Sequence, residues 1–342
     1  MTMRSELGEE PAVVERLLET SMAPVRELAR AIRERDVDLV LIAARGTSDH
    51  AAIYGQYVLG LRNRLPVALA APSLVSVYGT GPRLRNAAVL GISQSGRSPD
   101  VVAVLEHARR QGALTAAITN EPGSELAQAA EHVVTLDAGP ERAVAATKTY
   151  LAEIAILAML SSALSGDDES AVQLRAVPDA IRAALLEEGR VAALAAARAT
   201  EDRTVVLARG LHYATAREWA LKLKELAYLL ADPYSAADFQ HGPIALVEPG
   251  FPVLAVATQG PALPGMLELL RRLREDRANL LVLSDAPEVE GLGDVVALPV
   301  VPEWLSPLVA IVPAQLFAYH LARARGLDTE TPRNITKVTL TR

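Results

Sequence analysis

The sequence predicts an α/β protein made of two tandem copies of one unit, each a parallel β-sheet sandwiched between helices. Short aliphatic runs alternate with longer segments of helical periodicity, as in parallel sheets covered by helices. The chain has 342 residues, enough for two domains, and half of them are hydrophobic. A local sequence also repeats, because Ala44-Arg45-Gly46 returns as Ala208-Arg209-Gly210 164 positions later.

The strands are expected in two sets with similar spacing. Those of the first copy are Val37–Ala43, Ala87–Ile92, Leu114–Thr119 and His132–Leu136, and those of the second are Arg203–Ala208, Pro252–Ala257, Asn279–Leu283 and Val295–Val300. The polar run Ser165–Ser170 ends a long helix between the sets, and Pro178 marks the next helical start. We therefore expect an N-terminal helical segment over residues 1–35, domains over 36–180 and 190–326, and a C-terminal tail over 327–342.

Composition excludes several classes of function. The net charge is −7 with no basic run, which argues against binding to nucleic acid or to an anionic membrane surface. Cysteine is absent, so disulfides, thiolate zinc sites and cysteine nucleophiles are excluded. The N-terminus has no apolar leader, and the longest charge-free apolar run, taken as Ile154–Gly166, is too short to span a bilayer. These features predict a cytoplasmic protein.

Two strands of the first copy lead into loops rich in hydroxyl groups. The polar side chains of these loops are Thr47, Ser48, Ser93, Gln94, Ser95 and Ser98. Ligands of open parallel sheets bind beyond the carboxyl ends of the strands, where helix N-termini and backbone N–H groups favour anions. A phosphate monoester therefore fits, although Ser and Gly also populate ordinary turns. Asp49 and His50 lack further ligands, so we assign no metal, and the glycine patterns of nucleotide-binding loops are absent.

A helix of the second copy carries ionisable groups on one face. Glu218, Lys222 and Glu225 are spaced i, i+4, i+7 in an otherwise largely apolar helix. This spacing usually gives an exposed ion pair on a solvated helix. If the helix is buried, a carboxylate beside an ammonium group would instead suit proton transfer next to a carbonyl. Downstream, His241 lies in a Gly-Pro turn, where a lone histidine is more often structural, and Lys337 lies in the tail, where a lysine is usually solvated. If the tail folds back over a pocket, desolvation would suit Lys337 to imine chemistry.

Taken together, these segments resemble the double sugar-isomerase (SIS) domain family. Within it they are similar to the isomerase half of glutamine–fructose-6-phosphate aminotransferase and to stand-alone glucosamine-6-phosphate deaminases. The segments that carry the resemblance are Gly46-Thr47-Ser48, Ser93-Gln94-Ser95-Gly96, Val144–Lys148, Ala220–Glu225, His241-Gly242-Pro243 and Pro332–Lys337. The resemblance implies two tandem SIS domains with flavodoxin-like αβα sheets.

The resemblance also implies a role for each site residue. Thr47, Ser48, Ser93, Gln94, Ser95 and Ser98 would bind the phosphate of a sugar-phosphate substrate. Glu225 would move the proton between C1 and C2 with the help of Lys222. Lys337 would form a Schiff base with the ketose, and His241 would open the sugar ring from the neighbouring subunit of a homodimer. Val144 and Thr336 would contact the sugar through their backbone, and no cofactor is implied.

Departures from the family pattern affect the expected reaction. The aminotransferase has a glutaminase domain with a cysteine nucleophile, whereas this sequence has no Cys and no such domain. We therefore expect glucosamine-6-phosphate deaminase activity, giving fructose 6-phosphate and ammonia. The alternatives are an aminotransferase-like isomerase that uses free ammonia, a fructosamine-phosphate deglycase, and a sugar-phosphate sensor without catalysis. Arg97, where the aminotransferases have an acidic residue, leaves the identity of the sugar open.

Overall fold

The computed structural model describes residues 2–337, which divide into two compact units. The first unit holds residues 12–141, 148–175 and 336–337, and the second holds residues 2–11, 142–147 and 176–335. Each unit contains one five-stranded parallel sheet flanked by helices, which confirms the predicted α/β class. Of the predicted tail, residues 338–342 lie outside the described part, and the domain limits given above stay predictions.

The first unit is built on strands β1 to β5, all parallel and in the order β2-β1-β3-β4-β5. Their bounds are β1 Leu39–Ala43, β2 Val67–Leu69, β3 Ala87–Ile92, β4 Leu114–Thr119 and β5 His132–Thr135. β1, β3 and β4 are almost wholly buried, as expected for aliphatic strands covered on both faces. The change of direction in strand order falls between β1 and β3, where ligands of such sheets bind.

Helices cover both faces of this first sheet. The helices of this part of the chain are α2 Glu10–Thr20, α3 Met22–Glu34, α4 Thr47–Asn63, α5 Ser73–Ser76, α6 Pro99–Arg110, α7 Glu125–Ala129, α8 Lys148–Ser165 and α9 Asp168–Arg175. The buried side chains of α6 and α7 form one core cluster with β1 and β3. Helices α3 and α4 contact the strands as well, and α8 packs on both of them.

The second unit repeats this topology on strands β6 to β10, in the order β10-β9-β8-β6-β7. Their bounds are β6 Arg203–Ala208, β7 Leu230–Ser235, β8 Pro252–Val256, β9 Asn279–Ser284 and β10 Asp294–Ala297. Its helices are α1 Met3–Gly8, α10 Val177–Leu185, α11 Glu188–Ala197, α12 Tyr213–Ala227, α13 Ala236–Gln240, α14 Leu263–Glu275 and α15 Ser306–Ala324. Helix α14 packs into a core with β6, β8 and β9. The rings of Trp219 and Phe317 join α12 to α15 edge-on, with 5.6 Å between centroids.

The internal repeat extends through the helix that follows the first strand of each unit. Gly46 and Gly210 both have positive φ, +55° and +62°. The C-caps of the helices after them, Arg64 and Tyr228, are again 164 positions apart, and both are left-handed. An offset of 164 therefore aligns α4 and α12 at their C-terminal ends, although α12 begins two residues later in the repeat.

Strands β2 and β7 were not expected from the sequence. Each is the outermost strand beside the first strand of its sheet. β2 has three residues, and β7 contains Asp232 and Pro233. Proline lacks the N–H that a central strand needs, so it is tolerated at a sheet edge, and β7 has no aliphatic run. The aliphatic run at β2 is short and lies between Pro66 and Pro72, which obscured the strand.

Helix α15 and the turn before it form a long apolar segment. The stretch Glu303–Ala324 is long and apolar enough to cross a membrane by length and composition alone, but 89% of its most apolar window is buried inside the protein. Its charge-free run extends from Trp304 to Ala322. The expectation that Ile154–Gly166 is the longest such run was therefore wrong, and the position of α15 against α11 and α12 explains its composition.

Candidate functional site

The loop after β1 begins the first part of the candidate site. Gly46 takes a positive φ immediately before α4, and its carbonyl accepts the N–H groups of Asp49 and His50 at 3.1 and 3.3 Å. Thr47 and Ser48 are therefore the first two residues of a 17-residue helix. The Ser48 hydroxyl is buried and donates to Glu153 Oε1 at 2.7 Å.

The loop after β3 is held tightly around Gly96. The N–H of Gly96 donates to Ser93 Oγ at 3.2 Å, and its carbonyl accepts from Leu126 N at 3.0 Å. A side chain at this glycine, whose φ is +62°, would meet Ser124 Oγ at 2.0 Å. The close approach explains why the loop requires glycine there.

Helix α6 begins directly after this loop, with Pro99 at its first turn and Ser98 as the preceding residue. The Ser98 side chain makes no capping hydrogen bond, and its Oγ is 3.5 Å from Ser93 Oγ. Gln94 and Ser95 are half-buried, and the Gln94 carbonyl accepts from Asn120 N at 3.1 Å. The loop therefore has a fixed backbone and several hydroxyl groups beside a helix N-terminus.

The two loops leave neighbouring strands and are joined by an ion pair. β1 and β3 run parallel side by side, and Arg45 Nε lies 2.6 Å from Asp100 Oδ2. Asp100 is buried in the first turn of α6, whereas Arg45 is half-exposed. The structure thus brings two helix N-termini and the predicted hydroxyl loops to the switch point of the first sheet, an arrangement suited to an anion.

The second unit has a candidate site of its own, a charged cluster on α12. Lys222 Nζ lies 3.2 Å from Glu218 Oε1 and 2.7 Å from Glu225 Oε2. Glu218 and Lys222 are fully buried, whereas 22% of the Glu225 side chain is exposed. The cluster is therefore not an ordinary surface ion pair, and its one accessible member is the predicted proton shuttle.

Electrostatics fix the protonation state of this cluster. Burial alone lowers the pKa of Lys222, but the charges and hydrogen bonds of Glu218 and Glu225 outweigh it and raise that pKa above its ordinary value. Lys222 therefore stays an ammonium ion. Its Nζ lies 2.7 Å from Oε2 of Glu225 and orients this partly exposed carboxylate, which can then accept a proton from a bound substrate.

Lys337 belongs to the first unit and is held by a residue that the sequence analysis missed. Its Nζ lies 2.5 Å from Oε2 of Glu141, whose side chain is fully buried, while 25% of the Lys337 side chain is exposed. The N–H and hydroxyl of Thr149 also donate to the Glu141 carboxylate, at 3.1 and 2.8 Å. A primary amine thus lies at the protein surface with a fixed carboxylate behind it.

The remaining predicted residues have diverse surroundings. Val144 is half-buried in a segment of the second unit that Glu6 holds by accepting the N–H groups of Arg142 and Ala143 at 2.6 and 3.2 Å. Thr336 is exposed, and His241 is exposed directly after α13. In residues 2–337, no group of three or more His, Asp or Glu side chains could hold a metal ion.

Glu141 and Glu153 are the site-lining residues that sequence reasoning did not select. Glu153 is the one carboxylate in α8, a helix whose residues are nearly all buried. Glu141 follows Gly139-Pro140, and its side chain is covered. A single carboxylate in an otherwise apolar helix signals a buried polar contact, and that signal was available for Glu153. Glu141 has no comparable signal, because its partner Lys337 is distant in sequence.

Comparison with known families establishes the class of the protein. The family model described as the SIS domain matches residues 35–163 and again residues 199–325. These ranges contain the two parallel sheets and the loops described above. The chain belongs to the SIS family, which confirms the resemblance inferred from its motifs.

Particular relatives include aminotransferases that contain this module. The chain is 33% identical over 353 residues to glutamine–fructose-6-phosphate aminotransferase (isomerizing) of Zymomonas mobilis, covering 98% of this chain and 58% of that protein. It is 35% identical over 339 residues to the enzyme of the same name from Methanothermobacter thermautotrophicus, covering 98% of this chain and 56% of that protein. The chain thus spans somewhat more than half the length of these curated relatives.

Solved structures give the same fold. A chain from Silicibacter pomeroyi DSS-3, named only provisionally as a phosphosugar isomerase, has a TM-score of 0.89 at 36% identity, covering 96% of this chain and 100% of that one. The C-terminal domain of glucosamine-fructose-6-phosphate aminotransferase from Francisella tularensis has a TM-score of 0.89 at 25% identity, covering 96% and 98%. Glucosamine-6-phosphate deaminase from Thermotoga maritima, at 21% identity and a TM-score of 0.77, covers 98% and 99% and shares the fold.

Proposed function

We propose that this chain is a phosphosugar aldose–ketose isomerase that acts on an amino-sugar phosphate, converting glucosamine 6-phosphate to fructose 6-phosphate and ammonia. The observation that carries the proposal is the α12 cluster, in which a buried ammonium holds the partly exposed carboxylate of Glu225. A sugar-phosphate sensor would need the hydroxyl loops, but it would have no need for a buried acid–base cluster, which costs stability unless it is paired or used.

The phosphate is assigned to the two loops at the switch point of the first sheet. In this assignment the hydroxyls of Ser48, Ser93, Ser95 and Ser98 and the amide of Gln94 bind phosphate oxygens, with the backbone at Thr47. Support comes from the two helix N-termini beside these groups and from the rigid turn at Gly96. The amino-sugar phosphates differ little in this part, so the loops select the phosphate ester and leave the sugar to other contacts.

The proposed reaction needs a base and an amine. Glu225 takes the proton from C2 of the open-chain sugar and returns it to C1, while the C2 amino group loses one proton and O1 gains one. The product of this step has a hydroxyl at C1 and an imine at C2. The amine of Lys337 attacks C2 and ammonia leaves, so that the sugar is bound to Lys337 as an imine. Water then attacks C2, releasing the ketose phosphate and the free amine. Lys222 holds the Glu225 carboxylate in position between these steps through the 2.7 Å contact of its Nζ.

We also propose a homodimer in which His241 opens the sugar ring of the neighbouring subunit. The exposure of His241 after α13 supports this role, because an exposed imidazole is accessible to a partner. Phosphorylated sugars are retained in the cytoplasm, where the proposal places the protein. Mixing His241→Ala chains with Glu225→Ala chains should restore part of the activity that each lacks, and no restoration would contradict the shared site.

A second candidate is the isomerase module of an aminotransferase, running the same chemistry towards glucosamine 6-phosphate. The identities of 33% and 35% to glutamine–fructose-6-phosphate aminotransferases, over 98% of the chain, favour it specifically. Both candidates use the same proton transfer and the same imine. They differ in the source of nitrogen and in the direction of net flux.

The deciding experiment measures ammonia release from glucosamine 6-phosphate, galactosamine 6-phosphate and their N-acetyl forms. Glu225→Gln serves as the blank, and Lys224→Gln, an exposed neighbour on α12, serves as the matched control. Release that Glu225→Gln abolishes and Lys224→Gln retains would support the deaminase. Activity on a fructosamine phosphate alone would replace it with a deglycase, and ester binding without turnover of any substrate would replace the enzyme with a sensor.

A further inference from the structure

Glu141 is buried behind the one lysine of the C-terminal segment. It lies between β5 and α8, next to the turn Gly139-Pro140. None of its side chain is exposed, and its Oε2 atom is 2.5 Å from Lys337 Nζ. The distance is that of a short charge-assisted hydrogen bond.

Thr149 fixes the orientation of this carboxylate. Its backbone N–H donates to Glu141 Oε1 at 3.1 Å, and its hydroxyl donates to Oε2 at 2.8 Å. Thr149 is the second residue of α8, a helix of 18 residues, so the carboxylate lies at a helix N-terminus that favours its charge. Both oxygens are therefore held before any substrate arrives.

We propose that Glu141 is the positioning residue and proton acceptor for Lys337. The inference rests on the proposed function, because it assumes that Lys337 forms the imine. An ammonium ion has no lone pair and cannot attack carbon, so Lys337 must lose a proton first. Among residues 2–337, Glu141 has the only carboxylate within hydrogen-bonding distance of Lys337 Nζ.

When the substrate is a ketose phosphate, proton transfer from Lys337 to Glu141 begins the formation of the imine. A proton moves from Lys337 Nζ to Glu141 Oε2, leaving a neutral amine and a neutral carboxyl. The amine nitrogen then forms a bond to C2, and one proton passes from this nitrogen to the C2 oxygen, giving a carbinolamine. Glu141 returns its proton as that oxygen leaves as water, so that the protonated C2 imine forms with no net gain or loss of protons at Glu141.

The exposure of the two side chains fits this sequence of events. The carboxylate is fully covered, whereas Lys337 is one quarter exposed. Substrate can therefore reach the amine from the open side while Glu141 contacts it from the covered side. A base that is shielded from water exchanges protons only with the groups that contact it. In this proposal Glu141 therefore takes its proton from Lys337 and not from solvent.

The test separates the proton acceptor from a structural anchor. In Glu141→Gln the amide oxygen still accepts the Thr149 N–H, and the amide nitrogen can donate to the Thr149 hydroxyl, but the side chain cannot accept a proton from Lys337. The full-length protein is mixed with fructose 6-phosphate and cyanoborohydride, and mass spectrometry follows the reduced adduct on Lys337. Binding of sorbitol 6-phosphate, which has no carbonyl, is measured in parallel.

We expect Glu141→Gln to slow adduct formation about 100-fold while its affinity for sorbitol 6-phosphate stays within about 2-fold. Glu141→Asp should recover part of the rate, and Arg142→Gln, an exposed neighbour, should react like the unmodified chain. Thr149→Val, which removes only the hydroxyl contact, should be intermediate and provides a second variant if Glu141→Gln folds poorly.

Three results would overturn the inference, and they are distinguishable. Adduct formation at the normal rate in Glu141→Gln would remove its role as proton acceptor and leave the proposed function intact. Parallel loss of adduct and of sorbitol 6-phosphate binding would make Glu141 a structural anchor only. Absence of any Lys337 adduct in the unmodified chain, with the ester bound, would remove the imine itself and with it this part of the proposed function.

Discussion

The two copies of the repeat differ most at the switch point of their sheets. In the first copy, Gly46 and Gly96 are followed by hydroxyl-bearing loops at the N-termini of two helices. In the second copy, the loop after Gly210 instead places His212 in the interior, with its Nε2 atom 2.7 Å from Ser306 Oγ and 2.9 Å from Thr258 Oγ1. In the second copy a buried histidine thus binds the two neighbouring hydroxyl groups, whereas the first copy has half-buried hydroxyl groups beside two helix N-termini.

The helices after these loops also differ, but here the second copy has the ionisable groups. With the offset of 164, Glu218, Lys222 and Glu225 of α12 correspond to Tyr54, Val58 and Leu61 of α4. Tyr54 and Val58 are fully buried and Leu61 is exposed, so these three positions of α4 have a similar pattern of burial without a carboxylate or an amine. One fold thus carries hydroxyl-bearing loops in one copy and a helix with a buried charge cluster in the other.

The comparison teaches that the fold alone does not locate the chemistry. Both sheets have the same strand order and the same positive-φ glycine after the first strand. What differs is whether side chains fill the switch point and whether the following helix buries charge. Each prediction below changes one copy and uses the other, or a neighbouring residue, as its reference.

The largest effect is expected at Glu225. Replacing it with Gln removes the proton acceptor but keeps the contact with Lys222, so kcat should fall roughly 100- to 10,000-fold while sorbitol 6-phosphate binds as before. Steady-state kinetics with Lys224→Gln as the matched control would measure the change. A kcat within about 3-fold of the unmodified chain would remove Glu225 from the reaction.

A comparable effect, this time on stability, is expected at Lys222. Lys222→Met leaves Glu218 fully buried without its cation, and breaking a buried ion pair typically costs about 3–5 kcal/mol of the free energy of unfolding. The corresponding Val58→Met in α4 enlarges an apolar side chain and should cost less, about 1–3 kcal/mol. Urea unfolding of both variants provides the measurement, and equal losses would contradict the assigned role of the charge cluster.

A smaller effect on binding is expected in the first copy and none in the second. Ser95→Ala removes one hydroxyl from the proposed phosphate site, and a hydrogen bond to a charged group is worth about 1.5–3 kcal/mol, so the Kd for sorbitol 6-phosphate should rise roughly 10- to 100-fold. Thr258→Val changes the equivalent loop of the second copy and should leave that Kd unchanged. An equal rise in the Kd for both variants would contradict the assignment of the phosphate to the loop of the first copy.

The smallest effect concerns acid stability through His212. Burial lowers the pKa of His212 from 6.5 to about 3. His212 therefore binds a proton near pH 6.5 in the unfolded chain but only near pH 3 in the folded chain. This contribution to stability is complete above about pH 7 and declines by up to about 1.4 kcal/mol per pH unit as the pH falls towards 3.

Urea unfolding at pH 7 and pH 5, with His212→Asn as the comparison, would test this dependence. Glu201 acts in the opposite direction, because burial raises its pKa to about 7 and its contribution is lost as the pH rises through that value. Glu201 is unchanged in both proteins, so it cancels from the comparison. Identical loss of stability between pH 7 and pH 5 in the two proteins would contradict a neutral, buried His212.

Sequence reasoning found the central strands because their aliphatic runs are long and bounded by polar loops. It predicted β3, β4 and β6 with the bounds that the structure gives them. It missed β2 and β7 because edge strands need only one neighbour and tolerate polar residues and proline. The fold class was therefore predictable, whereas the number of strands in each sheet was not.

The candidate site residues were likewise predictable only in part. The spacing of Glu218, Lys222 and Glu225 was visible within one helix, since residues four apart share a face. The pairing of Lys337 with Glu141 was not visible, because the two residues are almost 200 positions apart and only tertiary structure joins them. Burial of the α12 cluster likewise depends on its packing against α15, which the periodicity of α12 alone does not determine.

The most direct test of the account is the stoichiometry of sugar-phosphate binding. Calorimetric titration with sorbitol 6-phosphate should give one site per chain, which Gly96→Ala abolishes because its side chain would meet Ser124, while Gly260→Ala in the second copy retains it. Circular dichroism would check that both variants are folded. Two sites per chain, or a single site that is lost in Gly260→Ala and kept in folded Gly96→Ala, would contradict the assignment of the phosphate to the first copy.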